Sequence, residues 1–182
     1  MAVPSFDPTH AVRFDVPRGR VSAGRDDERV ILVPTAAMDD IVLSAAPEAV
    51  EAFGRGLGSA IGRRAASRMG NPQEASLEEF VTQLAGEAAV SGVGAIGIER
   101  WGRALVIAVE GSPLAGTLLG PVVAAALEAA TGRRVWATLL TRDETTARLF
   151  VGSERSTVRV RDWVASGTPW AEALAKLQGG EA

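Results

Sequence analysis

The chain has 182 residues, 47% of them hydrophobic and 23% charged, with a net charge of -3. That is enough apolar material for a sizeable core, and too little positive charge for a general nucleic-acid binder, which needs a basic face against the phosphates. With no cysteine and one histidine, His10, a disulfide framework, a zinc–thiolate site, an iron–sulfur cluster and thiol or Ser-His-Asp catalysis have nothing to stand on, so neither metal nor cofactor is expected.

Residues 1–10 carry two prolines and no periodicity, which predicts either disorder or a loosely docked arm. They lack a basic stretch followed by an apolar run, so no secretory signal is expected. The apolar run after Pro121 is too short and too glycine-interrupted to span a bilayer. A cytoplasmic protein is the expectation. Residues 10–16 alternate weakly, as a strand does, and 17–28 read as a turn. RVILV at 29–33 reads as a short buried strand ended by Pro34. Thr35 is a candidate cap for a helix over 36–43.

Pro47 opens a long helix in which Gly54, Gly58 and Gly62 recur every four residues, continued by Ala66 and Gly70. At 3.6 residues per turn these lie on one face with no side chain standing out from it. Glycine inside a helix costs about 1 kcal/mol relative to alanine. Three in register need a compensating contact, and a closely approaching backbone supplies one. Gly116, Gly120 and Ala124 offer the matching surface on a later helix. Arg63, Arg64 and Arg68 sit near the end of the first helix, where the macrodipole favours positive charge. They read as a solvated face rather than a phosphate site.

Ser76 and Glu79 have the spacing of a capping box. Leu77, Phe80, Val81, Leu84 and Ala88 form the apolar stripe of a third helix ending near Gly92. Strands over 93–100 and 103–110 pair across Trp101-Gly102 as a hairpin. The second smooth helix follows, with Pro121 inside it and Gly132 as its stop. Strands over 134–141 and 146–152 make a second hairpin. The tail reads as short helices bearing Trp163 and Trp170.

The order helix, helix, hairpin, smooth helix, hairpin resembles the 4-vinyl reductase domain family, the core subunits of the TRAPP tethering complex and, more distantly, heme-NO-binding domains. ERVILVPTAAMDDI, AVEAFGRGLGSAIGRR, EGSPLAGTLLGPVVAAALEAATGRRV and TARLFVGS carry the likeness, over about residues 28–152. The resemblance implies an α+β fold, a twisted antiparallel sheet of four to five strands packed on helices. It also implies dimers formed through helices, and an apolar cavity for a small ligand or acyl chain. The metal-binding members use cysteines near the closing strand, where this chain has Arg148 and Phe150. The heme-binding relatives need an axial histidine on a helix, and His10 is badly placed for it. The expected division is an arm over 1–27, the α+β domain over 28–152 and a helical tail over 153–182.

Three functions follow. The first is a non-catalytic interaction or adaptor module, homodimeric, with protein partners meeting Gly54, Gly58, Gly62, Trp163 and Trp170. The alternative is a regulatory domain holding a small apolar ligand between Leu57, Ile61, Leu119, Val123 and Trp136, with Ser59, Thr117 and Glu128 as polar groups. An enzyme is the third and weakest, because Asp39-Asp40 and Asp143-Glu144 are adjacent acids without a histidine or a ligand cluster to support them.

Overall fold

The computed structural model describes residues 5–9, 11–70 and 74–179. His10, Asn71-Pro72 and Gly180 lie outside them. In chain order the elements are β1 (Val12–Asp15), β2 (Arg20–Ala23), β3 (Glu28–Val30), α1 (Thr35–Ser44), α2 (Pro47–Arg68), α3 (Leu77–Val90), β4 (Ala95–Trp101), β5 (Ala104–Glu110), α4 (Gly116–Thr131), β6 (Trp136–Arg142), β7 (Thr146–Gly152), α5 (Glu154–Ala165) and α6 (Trp170–Gly179). The main sheet has the order β4-β5-β7-β6 and is antiparallel throughout. It is the pair of hairpins expected, joined through their second strands.

β1, β2 and β3 form a second, three-stranded antiparallel sheet. β2 was hidden in the stretch read as a turn, because RVSA is only four residues long and lies between Gly19 and Gly24. Gly19, in the left-handed region at φ +58°, turns the chain from β1 into β2. The expected strand over 29–33 stops at Val30. Ile31 and Leu32 are then 84% and 70% exposed, so the RVILV run is not a buried strand. Thr35 is the first residue of α1 and makes no side-chain cap.

Both faces of the main sheet are covered, and β5 shows why its sequence is apolar almost throughout. Ile107 and Val109 point to the helix layer, where they join Leu149, Ile61, Leu118, Leu119 and Val122. Ala104 and Val106 point the other way, to Phe150, Val160, Ala173 and Leu174 under α5 and α6. A large side chain buried as completely as Leu119 contributes about 1.5–3 kcal/mol.

The glycines of α2 do meet α4, but not its glycines. A Cβ at Gly58 would lie 2.1 Å from the carbonyl oxygen of Val122, and one at Gly62 would lie 2.2 Å from that of Ala126. Gly54 faces Pro121 and Leu118. The row met is therefore 118, 122 and 126. Gly116 and Gly120 face β6 instead, toward Leu139 and the Ala137 carbonyl, and among the described residues nothing lies close to Gly70. α4 is smooth on two sides because a helix lies on one and a strand on the other.

The α2 arginines also differ from the expected solvated face. Glu87 on α3 is 0% exposed, and it accepts from Arg64 Nε at 2.9 Å and from Arg68 Nε. Arg64 also reaches Glu28 and Ser91. Both guanidinium groups are almost wholly buried, and only Arg63 stays in solvent. This joint pins α3 and the small sheet to the end of α2. Ser76 Oγ accepts the Glu79 N–H at 3.1 Å, and Gly132 ends α4 at φ +70°, both as expected.

Candidate functional site

α3 lies against the β4 edge of the sheet, and α4 lies mainly against β6 at the other edge. Towards the C-terminal end of α4 the two helices leave a stretch of sheet uncovered. The result is a groove of about 790 Å³, within the range of small-molecule sites. Its apolar wall comes from Leu77 and Phe80 of α3, Ile98 of β4, Leu105 of β5, Leu127 of α4 and Val135. Leu105 pairs with Val151 across β5 and β7, and both are part of this floor. Leu77 is 56% exposed although it opens the apolar stripe of α3.

The rim is basic. Arg100 is the penultimate residue of β4, Arg103 lies in the hairpin turn and Arg133 follows Gly132, and all three are exposed at the groove. The turn itself is Gly102-Arg103, since Trp101 pairs with Ala104. Gly102 sits at φ +60°, where a side chain is strained. Gln178 of α6 brackets this turn, donating from Nε2 to the Trp101 carbonyl at 2.8 Å and accepting the Arg103 N–H at 3.2 Å. Trp170 packs edge-on against Trp101, with ring centres 4.6 Å apart. The tail thus holds the hairpin that carries two rim arginines.

The residues first assigned to a ligand pocket are not brought together around this groove. Ile61, Leu119 and Val123 are fully buried core residues, with Leu57 packed beside them. Trp136 and Thr117 line a separate cleft of about 620 Å³ between α4, β6 and α5. Arg134 lies over the Trp136 ring at 5.2 Å. Glu128 is paired with Arg55 at 2.9 Å, and Ser59 is half-buried on α2. Gly54, Gly58 and Gly62 are buried against α4 of the same chain. Trp163 and Trp170 are half-buried against the cluster under α5 and α6. Leu77 and Phe80 were visible as part of a stripe. Their place on an open groove was not, because the stripe does not say where its partner stops.

The polar groups elsewhere build structure. Arg148 reaches from β7 over Ala108 to Glu99 on β4, at 3.1 Å. The Arg148 side chain, donating to Glu99, holds that carboxyl below its ordinary value, helped by the Trp101 indole N–H. Asp143 accepts the backbone N–H groups of Thr145 and Thr146, which hold its carboxyl down and shape the β6–β7 turn. Asp39 and Asp40 lie on α1. Among the described residues no group of three or more His, Cys, Asp or Glu could hold a metal ion. Nor is any helix among them long and apolar enough to cross a membrane.

No family model and no curated protein matches the chain. Among solved structures it is similar to the phenol-responsive sensory domain of the transcription activator PoxR, crystallised with phenol. The TM-score is 0.57 over 92% of this chain and 91% of that one, at 16% identity. At that identity the likeness shows the fold alone: an α+β domain of the kind used there as a sensor.

Proposed function

We propose that this chain is a regulatory domain that binds a small apolar ligand in the groove between α3, the β4–β5 hairpin and the end of α4. It acts by binding rather than by catalysis, as a cysteine-free divergent member of the 4-vinyl reductase-like group. The observation that carries this reading is the groove itself. Six apolar side chains, Leu77, Phe80, Ile98, Leu105, Leu127 and Val135, line a concavity that nothing among the described residues covers. Apolar surface held concave is what a small-molecule site needs. The similarity to a phenol-responsive domain supports the same reading at the level of fold.

The test is calorimetric titration with two neutral probes, decanol and 2-naphthol, beside native mass spectrometry of the purified protein. Binding of either probe, lost in Leu77→Glu, is the expected result. Leu77 is exposed enough to accept the change without unfolding. No binding by either probe, together with no co-purified compound, would sink the proposal.

A second reading, the homodimeric interaction module, is favoured by a different observation. Ile31, Leu32, Ile41 and Leu43 are all exposed on the segment from β3 through α1, and none of the residues of α1 is buried. Large apolar side chains left exposed along one segment are a feature of contact surfaces. Light scattering over a concentration series tests it, with a dimer expected and Ile41→Glu/Leu43→Glu expected to be monomeric.

A further inference from the structure

The groove has a floor and a rim of opposite character, and the contrast says more about its ligand than either part alone. Every charged side chain that lines it is an arginine: Arg100, Arg103 and Arg133. They come from three places in the fold, the end of β4, the hairpin turn and the α4–β6 connection. The chain as a whole is acidic, at -3, and about half of its other arginines find carboxylates. Arg13, Arg18, Arg55, Arg64, Arg68 and Arg148 each hold one. The guanidinium groups of Arg100, Arg103 and Arg133 hold no hydrogen-bond or ion-pair partner among the described residues. The only other side-chain polar atom in the lining is the Thr131 hydroxyl, and its proton is given to the Leu127 carbonyl at 2.7 Å.

We infer that the ligand is an amphipathic carboxylic acid, its apolar body laid on Phe80, Ile98, Leu105 and Val135 and its carboxylate held at the mouth by Arg100, Arg103 and Arg133. This deepens the proposed function and rests on it. A carboxylate sunk to the floor would lose its hydration with nothing to replace it. At the rim it keeps part of its water and meets planar guanidinium forks that match its two oxygens. A neutral ligand of the same shape gains the floor and leaves three cations unanswered. A long polyanion is a poor occupant, because three arginines on an acidic chain give too small a basic footprint.

The test uses matched pairs that differ only at the head: decanoate against decanol, and 2-naphthoate against 2-naphthol, titrated calorimetrically at neutral pH and at low and high salt. The acid of at least one pair is expected to bind about tenfold tighter than its alcohol, the scale of a few partly exposed charge-assisted contacts. That advantage shrinks as salt rises. In R100Q/R103Q/R133Q the advantage of each acid over its alcohol is expected to vanish. The three side chains are exposed and unpaired, and a matching thermal melt shows that the variant folds; each single substitution repeats the test on one element. Which acid wins tells an alkyl ligand from an aromatic one. Equal binding of acid and alcohol overturns this inference and leaves the groove a neutral apolar site. An advantage that survives in the triple variant also overturns it. Binding of neither member of either pair removes both this inference and the function beneath it.

Discussion

Between α2 and α4 the helix layer is closed so tightly that a methyl group at Gly58 would sit on a backbone oxygen. Between α3 and the end of α4 it is open by the volume of a small molecule. The same helix, α4, takes part in both. The difference lies in what its neighbours carry. α2 presents glycine where it crosses, so nothing holds the backbones apart. α3 presents Leu77 and Phe80, long side chains fixed at a distance by the Glu87 joint behind them. One interface is defined by missing side chains, the other by side chains that border an open space.

The comparison breaks most sharply at the seam. Gly58→Ala/Gly62→Ala is expected to lose about 3–4 kcal/mol, since each methyl meets backbone and alanine's better helix propensity recovers only part of the strain. Chemical denaturation measures it, and an unchanged midpoint would mean that the helices separate freely. Next is Glu87→Gln, which leaves two buried guanidinium groups without their shared anion. A loss of about 3 kcal/mol is expected, together with weaker probe binding as α3 loses its hold. Leu77→Ala should do the reverse. It changes stability by less than about 0.5 kcal/mol, yet removes part of the groove wall, and roughly fivefold of probe affinity goes with it.

The outer face of the sheet supplies a reference away from both regions. Glu99 is held below its ordinary value by Arg148, so the pair's contribution is complete above the unfolded carboxylate value and is lost as pH falls through the folded one. Both side chains are about a third exposed, which keeps the effect under about 1 kcal/mol. Melting temperatures of the wild type and Glu99→Gln, compared at neutral pH and near pH 3, should converge in acid. Smallest is Gly56→Ala, on the same helix as the seam but with nothing within reach of a new methyl. It should gain about 0.5 kcal/mol, opposite in sign to its neighbour two residues away.

Gly54, Gly58 and Gly62 were legible because glycine at a helical repeat has no local reason to be there. Their partner row was not. α4 meets α2 through the carbonyls of Val122 and Ala126, and a carbonyl looks the same whatever side chain it bears. The small residues at 116 and 120 advertised a contact correctly and named the wrong neighbour. Arg64 and Arg68 looked like a solvated helix end because their anion lies 19 to 23 residues on, on another helix. The two hairpins and the Ser76 cap were readable, since each depends on residues close in sequence. The groove was half readable: its walls are ordinary apolar positions, and only the packed fold shows that no residue closes over them.

The amide of Gln178 has one consequence beyond holding the tail in place. It straddles the two-residue turn from both sides, at a position where any side chain on residue 102 would collide with it. Hairpin tip and final helix are therefore geared together. A displacement of the turn at Arg103 would reach α6, on the other face of the sheet, through one side chain.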